Sequence, residues 1–207
     1  LRSCGANHEV FPEIDRLFGI PLTEKYHPEI DTGEHILLAL EQAAQRNANE
    51  LIRFTVLVND LGKGATPAKI LLSNHGHEGR GAALIDAFCE RLTVPREHRN
   101  LAVLVSRFHS KVHRADELKP TAMMNLLQDI DALRRRDRFD AFLEACAIDA
   151  MGRLGLQDRD YSQAERLRHA LEIVQGVDTK KLIAQGFEGE ALASALFDAR
   201  VDALTRS

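Results

Sequence analysis

The sequence has no excess of positive charge, no apolar run of membrane length, no sustained alternation of apolar and polar residues, and only three cysteines in 207 residues. Each absence excludes something. A formal net charge of -4 argues against a general nucleic-acid-binding surface and leaves room only for a local basic patch. No stretch approaches the roughly 18 apolar residues of a membrane helix, so no membrane partner is expected. Without period-two alternation there is no strand signal, and neither an internal repeat nor a low-complexity segment stands out. Cys4, Cys89 and Cys146 are odd in number and far apart, the pattern of reduced thiols. The first residues lack the charged-then-apolar layout of a secretion signal, which with the thiols gives a cytoplasmic expectation. The chain opens on Leu1 rather than methionine, and the expectation is a piece of something longer.

What is present is helical periodicity on an ordinary globular composition, 44% hydrophobic and 28% charged. A short amphipathic helix is expected over 11–18, with Pro12 near its start. Pro21, His27 and Pro28 mark a loop. Asp31 and Glu34 have capping-box spacing and open a helix that runs to about Arg46. The next helix spans about 51–61, with Gly62 as the residue just past its end. A glycine-rich loop with one short helical turn covers 62–77. Helices then follow over about 78–92, from Pro95 to His113, from Pro120 to Leu133, and over 138–154. Three shorter helical patterns, at 163–175, 179–185 and 189–205, are separated by Gly176 and Gly186. The reading is all-α: an N-terminal segment 1–30, a main helical domain 31–155 and a smaller helical tail 156–207.

The chemistry gathers around Val56-Leu57-Val58-Asn59-Asp60-Leu61-Gly62-Lys63-Gly64. An amide and a carboxylate at the end of a buried helix are costly unless something binds them. Seven of the nine histidines fall between His27 and His113. His109 and His113 are four apart on one helix and project from one face. His75 and His77 flank Gly76 in a loop that can bend around an ion. Asp129-Ile130-Asp131 lies on an apolar helix, where Asp131 either serves a site or faces Arg134 and Arg135 at i+3 and i+4. Likewise Asp60 either serves a site or pairs with Lys63. Each element taken singly has a bland explanation; their combination on successive helices is harder to dismiss.

In this order, His35, Asn59-Asp60 with Leu61-Gly62-Lys63, His75/His77, His109 and Asp131 resemble the HD-domain metal-dependent phosphohydrolase pattern. Phe11-Pro12-Glu13-Ile14-Asp15, His27-Pro28-Glu29-Ile30-Asp31-Thr32-Gly33, Asp60-Leu61-Gly62-Lys63-Gly64 and His75-Gly76-His77 are similar, more narrowly, to the C-terminal half of the bacterial multifunctional CCA proteins, which are tRNA nucleotidyltransferases. This likeness runs over nearly the whole chain. It implies an HD-domain helical bundle carrying 2′,3′-cyclic phosphodiesterase, 2′-nucleotidase and phosphatase activity with a divalent metal (Ni, Mn, Co or Mg). The nucleotidyltransferase head of that family, with its paired carboxylates on a sheet, has no counterpart in these residues. By the same resemblance, His35, Asp60 and Asp131 hold metal. His75, His77, His109 and His113 complete a second metal site or hold substrate phosphate, and Lys63 steadies an anionic oxygen.

One position departs from the pattern. Where the family has the doublet histidine this chain has Asn59, whose side-chain oxygen suits a hard cation better than a borderline-soft one. The expectation is therefore a site that is weakly active, oxygen-preferring or dead. Two readings follow from the sequence. One is an enzyme acting on nucleoside 2′,3′-cyclic phosphates or 2′-nucleotides. The other is a module that keeps the fold without the catalysis and binds tRNA within the full-length protein, or pairs its subunits as a homodimer. In that module Arg134, Arg135 and Arg136 would touch phosphate.

Overall fold

The structure, a computed structural model, describes residues 1–24 and 27–207. Lys25 and Tyr26, which fall inside the N-terminal segment read as 1–30, lie outside the described residues. Among the described residues eleven α-helices follow in chain order: α1 (Ala6–Val10), α2 (Pro12–Asp15), α3 (Thr32–Gln45), α4 (Glu50–Val58), α5 (His77–Arg91), α6 (Arg96–His113), α7 (Pro120–Asp129), α8 (Arg136–Met151), α9 (Ser162–Gln175), α10 (Thr179–Ala184) and α11 (Gly189–Arg206). Among the described residues extended backbone pairs only in an isolated antiparallel bridge between Pro21 and Asp31. The fold is all-α, as the periodicity implies. Among the described residues no helix is long and apolar enough to cross a membrane.

The helix starts obey local chemistry. Asp31 accepts from the Glu34 amide at 3.0 Å and Asn49 from the Ile52 amide at 3.0 Å, each satisfying a donor that the first helical turn leaves open. Proline sits at the start of α2 and α7, where its missing amide hydrogen costs nothing.

The chain divides into two compact units. One comprises residues 1–110 and 140–161, the other 111–139 and 162–207. The chain thus leaves the first unit and returns to it, a path that a linear division at 30 and 155 does not describe. In the first unit Ile14, Leu17, Ile36, Val58, Leu61, Ile85, Phe88, Cys89 and Ala102 form a continuous apolar core. A fully buried side chain of this size contributes about 1.5–3 kcal/mol. In the second unit α11 packs on α7 and α9, over buried Leu126, Leu127, Ile130, Leu167, Leu171 and Val174.

Two glycines decide how closely elements of the first unit approach. Gly62 is not the left-handed residue closing α4: that helix ends at Asn59, and Gly62 lies inside a 3-10 turn, Leu61–Ala65. A Cβ there would stand 2.0 Å from the carbonyl oxygen of His77 and 2.6 Å from the Gly81 amide nitrogen. The absence of a side chain lets the turn bearing Asp60 and Lys63 press against the start of α5. Gly152, just after α8, would place a Cβ 2.5 Å from Ala39 Cα, so it brings the end of α8 onto the middle of α3. Gly152→Ala is expected to cost about 1–3 kcal/mol through this overpacking. The urea midpoint measures it, and an unchanged midpoint would mean that the contact is not tight.

Candidate metal centre

Asp60 follows the last turn of α4, and the apolar face of that helix carries it into the core of the first unit. It is 1% exposed, as are Asn59 and His35. Lys63, three residues on, folds back in the 3-10 turn and donates from Nζ to Asp60 Oδ2 at 2.8 Å. The pairing with Lys63 is therefore present, and it occupies one oxygen while the other points elsewhere.

That other oxygen, Oδ1, lies 3.7 Å from His109 Nε2 and 3.9 Å from His77 Nε2. The ring centroids of these histidines are 5.5 Å apart in a T-shaped arrangement. His109 Nδ1 is 2.9 Å from the Val105 carbonyl oxygen, and His77 Nδ1 is 3.0 Å from that of Asn74. A carbonyl only accepts, so each Nδ1 carries a proton, and in the neutral ring Nε2 presents its lone pair to Asp60 Oδ1. Burial pushes the His77 pKa down, against the raising influence of Asp60. Burial alone would raise the Asp60 pKa, but the charge of Lys63 outweighs it and holds the carboxyl well below its ordinary range.

A lone pair aimed at a carboxylate is repulsive, and a cation between the two would relieve it; at His109 the Ser110 hydroxyl also lies 3.4 Å from Nε2. Among the described residues, Asp60 Oδ1, His77 Nε2 and Asn59 Oδ1 are buried and have no hydrogen-bond partner. Such atoms cost roughly 1–3 kcal/mol each when left unmatched. Two donors that each sit about 2.1 Å from one ion stand roughly 3–4 Å apart, which the Asp60, His77 and His109 spacings meet. The residues present fit a divalent cation.

A second group adjoins the first through Asp60. His35, in the first turn of α3, has Nε2 3.1 Å from Oδ1 of Asp149 on α8. Asn59 Nδ2 donates to the same Asp149 oxygen at 3.0 Å. Donor atoms of His35, Asp60 and Asp149 all lie within 4.8 Å of one another. On its far side His35 Nδ1 is 2.9 Å from Glu29 Oε1, which is also 2.9 Å from His27 Nδ1. Burial works to lower the His35 pKa, yet the hydrogen bonds and charge of Asp149 and Glu29 raise it to about 9.

The structure gathers His35, Asn59, Asp60, Lys63, His77 and His109 in the first unit, where His75 is not among them, while Asp131 and His113 belong to the second. Asp131 belongs to the second unit. It follows the end of α7 with a positive φ of 54° and faces Arg134, Arg135 and Arg138 at 3.8, 3.7 and 3.5 Å. The local i+3 and i+4 pairing accounts for its position. His113 lies one turn beyond His109, in the second unit, and is in none of the ligand groupings. His75 is exposed, its carbonyl accepting from Arg80 at 2.9 Å. Of the basic run, Arg134 and Arg135 extend into solvent beside Asp131, while the Arg136 guanidinium lies over the Phe139 ring at 5.8 Å. Asp149 and Glu29 are the residues that reading the sequence missed. Asp149 had a signal: a single acid inside the apolar run Cys146-Ala147-Ile148-Asp149-Ala150-Met151, the same anomaly that marks Asp60.

Fold and site together define an all-helical chain organised around a buried histidine–carboxylate centre suited to a divalent cation. The chain is 50% identical over 204 residues to the Multifunctional CCA protein of Thioalkalivibrio sulfidiphilus, 48% over 204 to that of Alkalilimnicola ehrlichii, and 46% over 207 to that of Nitrosococcus oceani. Over its whole length it is similar to part of the multifunctional CCA proteins. The alignments cover 99%, 99% and 100% of this chain but 50%, 49% and 51% of the relatives, so the chain spans about half their length. No family model matches the chain.

The His35 pair of contacts makes stability depend on pH. Its pKa rises from 6.5 in the unfolded chain to about 9 in the folded one. The stabilisation is complete below about pH 6.5 and is lost as pH rises through about 9. Urea unfolding of the chelator-treated protein is expected to show a free energy falling by a few kcal/mol across that window. His35→Gln should flatten the slope; an unaltered slope in that variant would assign the dependence elsewhere.

Proposed function

We propose that this chain is a divalent-metal-dependent phosphohydrolase domain acting on nucleoside 2′,3′-cyclic phosphates and 2′-nucleotides, within a protein of the CCA-adding tRNA nucleotidyltransferase type. The printed name of the relatives supports the tRNA setting. The observation that carries the hydrolase reading is Asp60 Oδ1, buried, unmatched by any hydrogen bond and faced by two imidazole nitrogens at 3.7 and 3.9 Å. Asp60, His77 and His109 would hold one cation; His35, Asp149 and Asp60 would hold another, with Asn59 Oδ1 as a neutral oxygen beside it. Mixed imidazole and carboxylate donors suit Ni, Co or Mn, whereas Asn59 shifts its side of the centre toward harder ions such as Mn or Mg. A bound divalent ion polarises a phosphoryl oxygen and lowers the pKa of water.

The protein's own groups do the rest. Lys63 anchors Asp60 Oδ2 and so keeps Oδ1 turned toward His77 and His109. The carbonyls of Val105 and Asn74 fix the tautomer of both rings, leaving Nε2 as the donor. The centre meets solvent through His77 and His27, whose side chains are 12% and 14% exposed, and an anionic phosphoester entering there comes under the positive field of Lys63.

A second reading is favoured by a specific contact. Asn59 Nδ2 donates to Asp149 Oδ1, engaging an oxygen that a cation would use. This suits a module that keeps the fold without catalysis and serves tRNA binding or subunit pairing. Hydrolysis of 2′,3′-cyclic AMP with Ni, Co, Mn and Mg separates the two. Asp60→Ala should lower the metal-stimulated rate at least about a hundred-fold, and Asn59→His should raise it roughly ten-fold or more. No turnover in the parent or in Asn59→His with any of the four ions would turn the assignment to the second reading.

A further inference from the structure

We propose that Glu29 is the positioning carboxylate of this centre: with His27 it fixes the ring of His35 so that Nε2, not Nδ1, is presented to Asp149 and Asp60. The inference rests on the reading that His35 and Asp60 hold a cation, and it adds the group that aims the imidazole. A histidine in the first turn of a helix has two nitrogens and a ring that turns about its last bond, so something must choose which nitrogen serves. Second partners of this kind set tautomer and orientation in metal sites generally.

The geometry makes the choice here. Glu29 Oε1 lies 2.9 Å from His35 Nδ1 and 2.9 Å from His27 Nδ1. The two rings stand at 85° with centroids 4.8 Å apart, so His27 abuts the edge or face of His35 and limits its rotation. Glu29 is itself held, because its other oxygen accepts from the Leu154 amide at 3.3 Å in the turn just after α8. The Glu29 side chain is only 3% exposed and, through His27 and His35, stays ionised well below the ordinary carboxylate range despite burial. A ring turned over would lose both its carboxylate partners, setting carbon atoms against Glu29 and Asp149.

The grouping of His27, Glu29 and His35 also has the donor spacing of a cation site, but its 2.9 Å contacts are hydrogen-bond lengths, and all of them run through a single oxygen. One carboxylate oxygen thus serves two rings: it is hydrogen-bonded to His27 Nδ1 and meets His35 Nδ1 as a close charge contact rather than a well-aligned hydrogen bond.

Calorimetric titration of the metal-stripped chain with Mn and Ni, in the parent and the Asn59→His background, tests the proposal. Glu29→Ala should weaken binding about 10–100-fold, and Glu29→Gln, which keeps an accepting oxygen, should recover most of that loss. In the zinc-loaded protein the ring nitrogen resonances of His35 should report a protonated Nδ1, and Glu29→Ala should abolish that signature. Unchanged affinity in Glu29→Ala, together with lost binding in Asp60→Ala, overturns the positioning role and leaves the cation reading standing. No binding by the parent or by Asn59→His, or full binding by Asp60→Ala, overturns both. An ion retained by Asp60→Ala and removed by Glu29→Ala would make the grouping a ligand site of its own, which also overturns the proposal.

Discussion

One buried carboxylate sets the terms for the first unit. Asp60 has no access to water, so each of its oxygens must find positive charge inside the protein. Oδ2 finds it in Lys63, three residues away and folded back by the 3-10 turn. Oδ1 finds only two imidazoles, and the rest of the site follows from that shortfall. The histidines come from different helices, α5 and α6, and each is oriented by a backbone carbonyl of its own neighbourhood. The polar centre is surrounded by an apolar core in which Val58 and Leu61, immediately beside Asn59 and Asp60, are fully buried. The same residues that stabilise the unit deprive its acids of solvent, and the low dielectric that results strengthens every charge interaction there.

Asn59 changes the balance of the second cluster. An imidazole at that place would add a soft nitrogen donor; the amide instead gives its N–H to Asp149 and leaves its oxygen unmatched. In the absence of a cation this arrangement is better satisfied than two facing carboxylates would be, because His35 and Asn59 both donate to one Asp149 oxygen.

Much of the helix pattern was legible in the sequence, because apolar periodicity, prolines and caps act locally. α6, α7, α9 and α10 begin and end within a few residues of their expected bounds. The role of Gly62 was misread because a close approach to His77 and Gly81 is a tertiary fact with no local sign. At the site, the rule of an acid on an apolar run singled out Asp60 and Asp131 but passed over Asp149. Asp131 has three arginines within a turn or two to satisfy it, whereas Asp149, with Arg153 four residues on, takes hydrogen bonds from His35 and Asn59, far away in the sequence. The spacing of His109 and His113 placed two rings on one side of a helix, but the division into units falls between them and only His109 joins a ligand grouping. Glu29 left no trace, since an acid after a proline in a polar loop is ordinary.

The two-part path of the first unit bears on how the protein is made. His35 and Asn59 find Asp149 only after 114 and 90 further residues have been synthesised, and the intervening chain includes a whole segment of the other unit. A nascent polypeptide released as far as Ser110 carries the imidazoles and Asp60 but not the acid that completes them. Ordering at the centre is therefore a late event, governed by closure of a long loop. Excision of the first unit as one continuous fragment is ruled out for the same reason; only a splice or a permuted chain would keep its parts together.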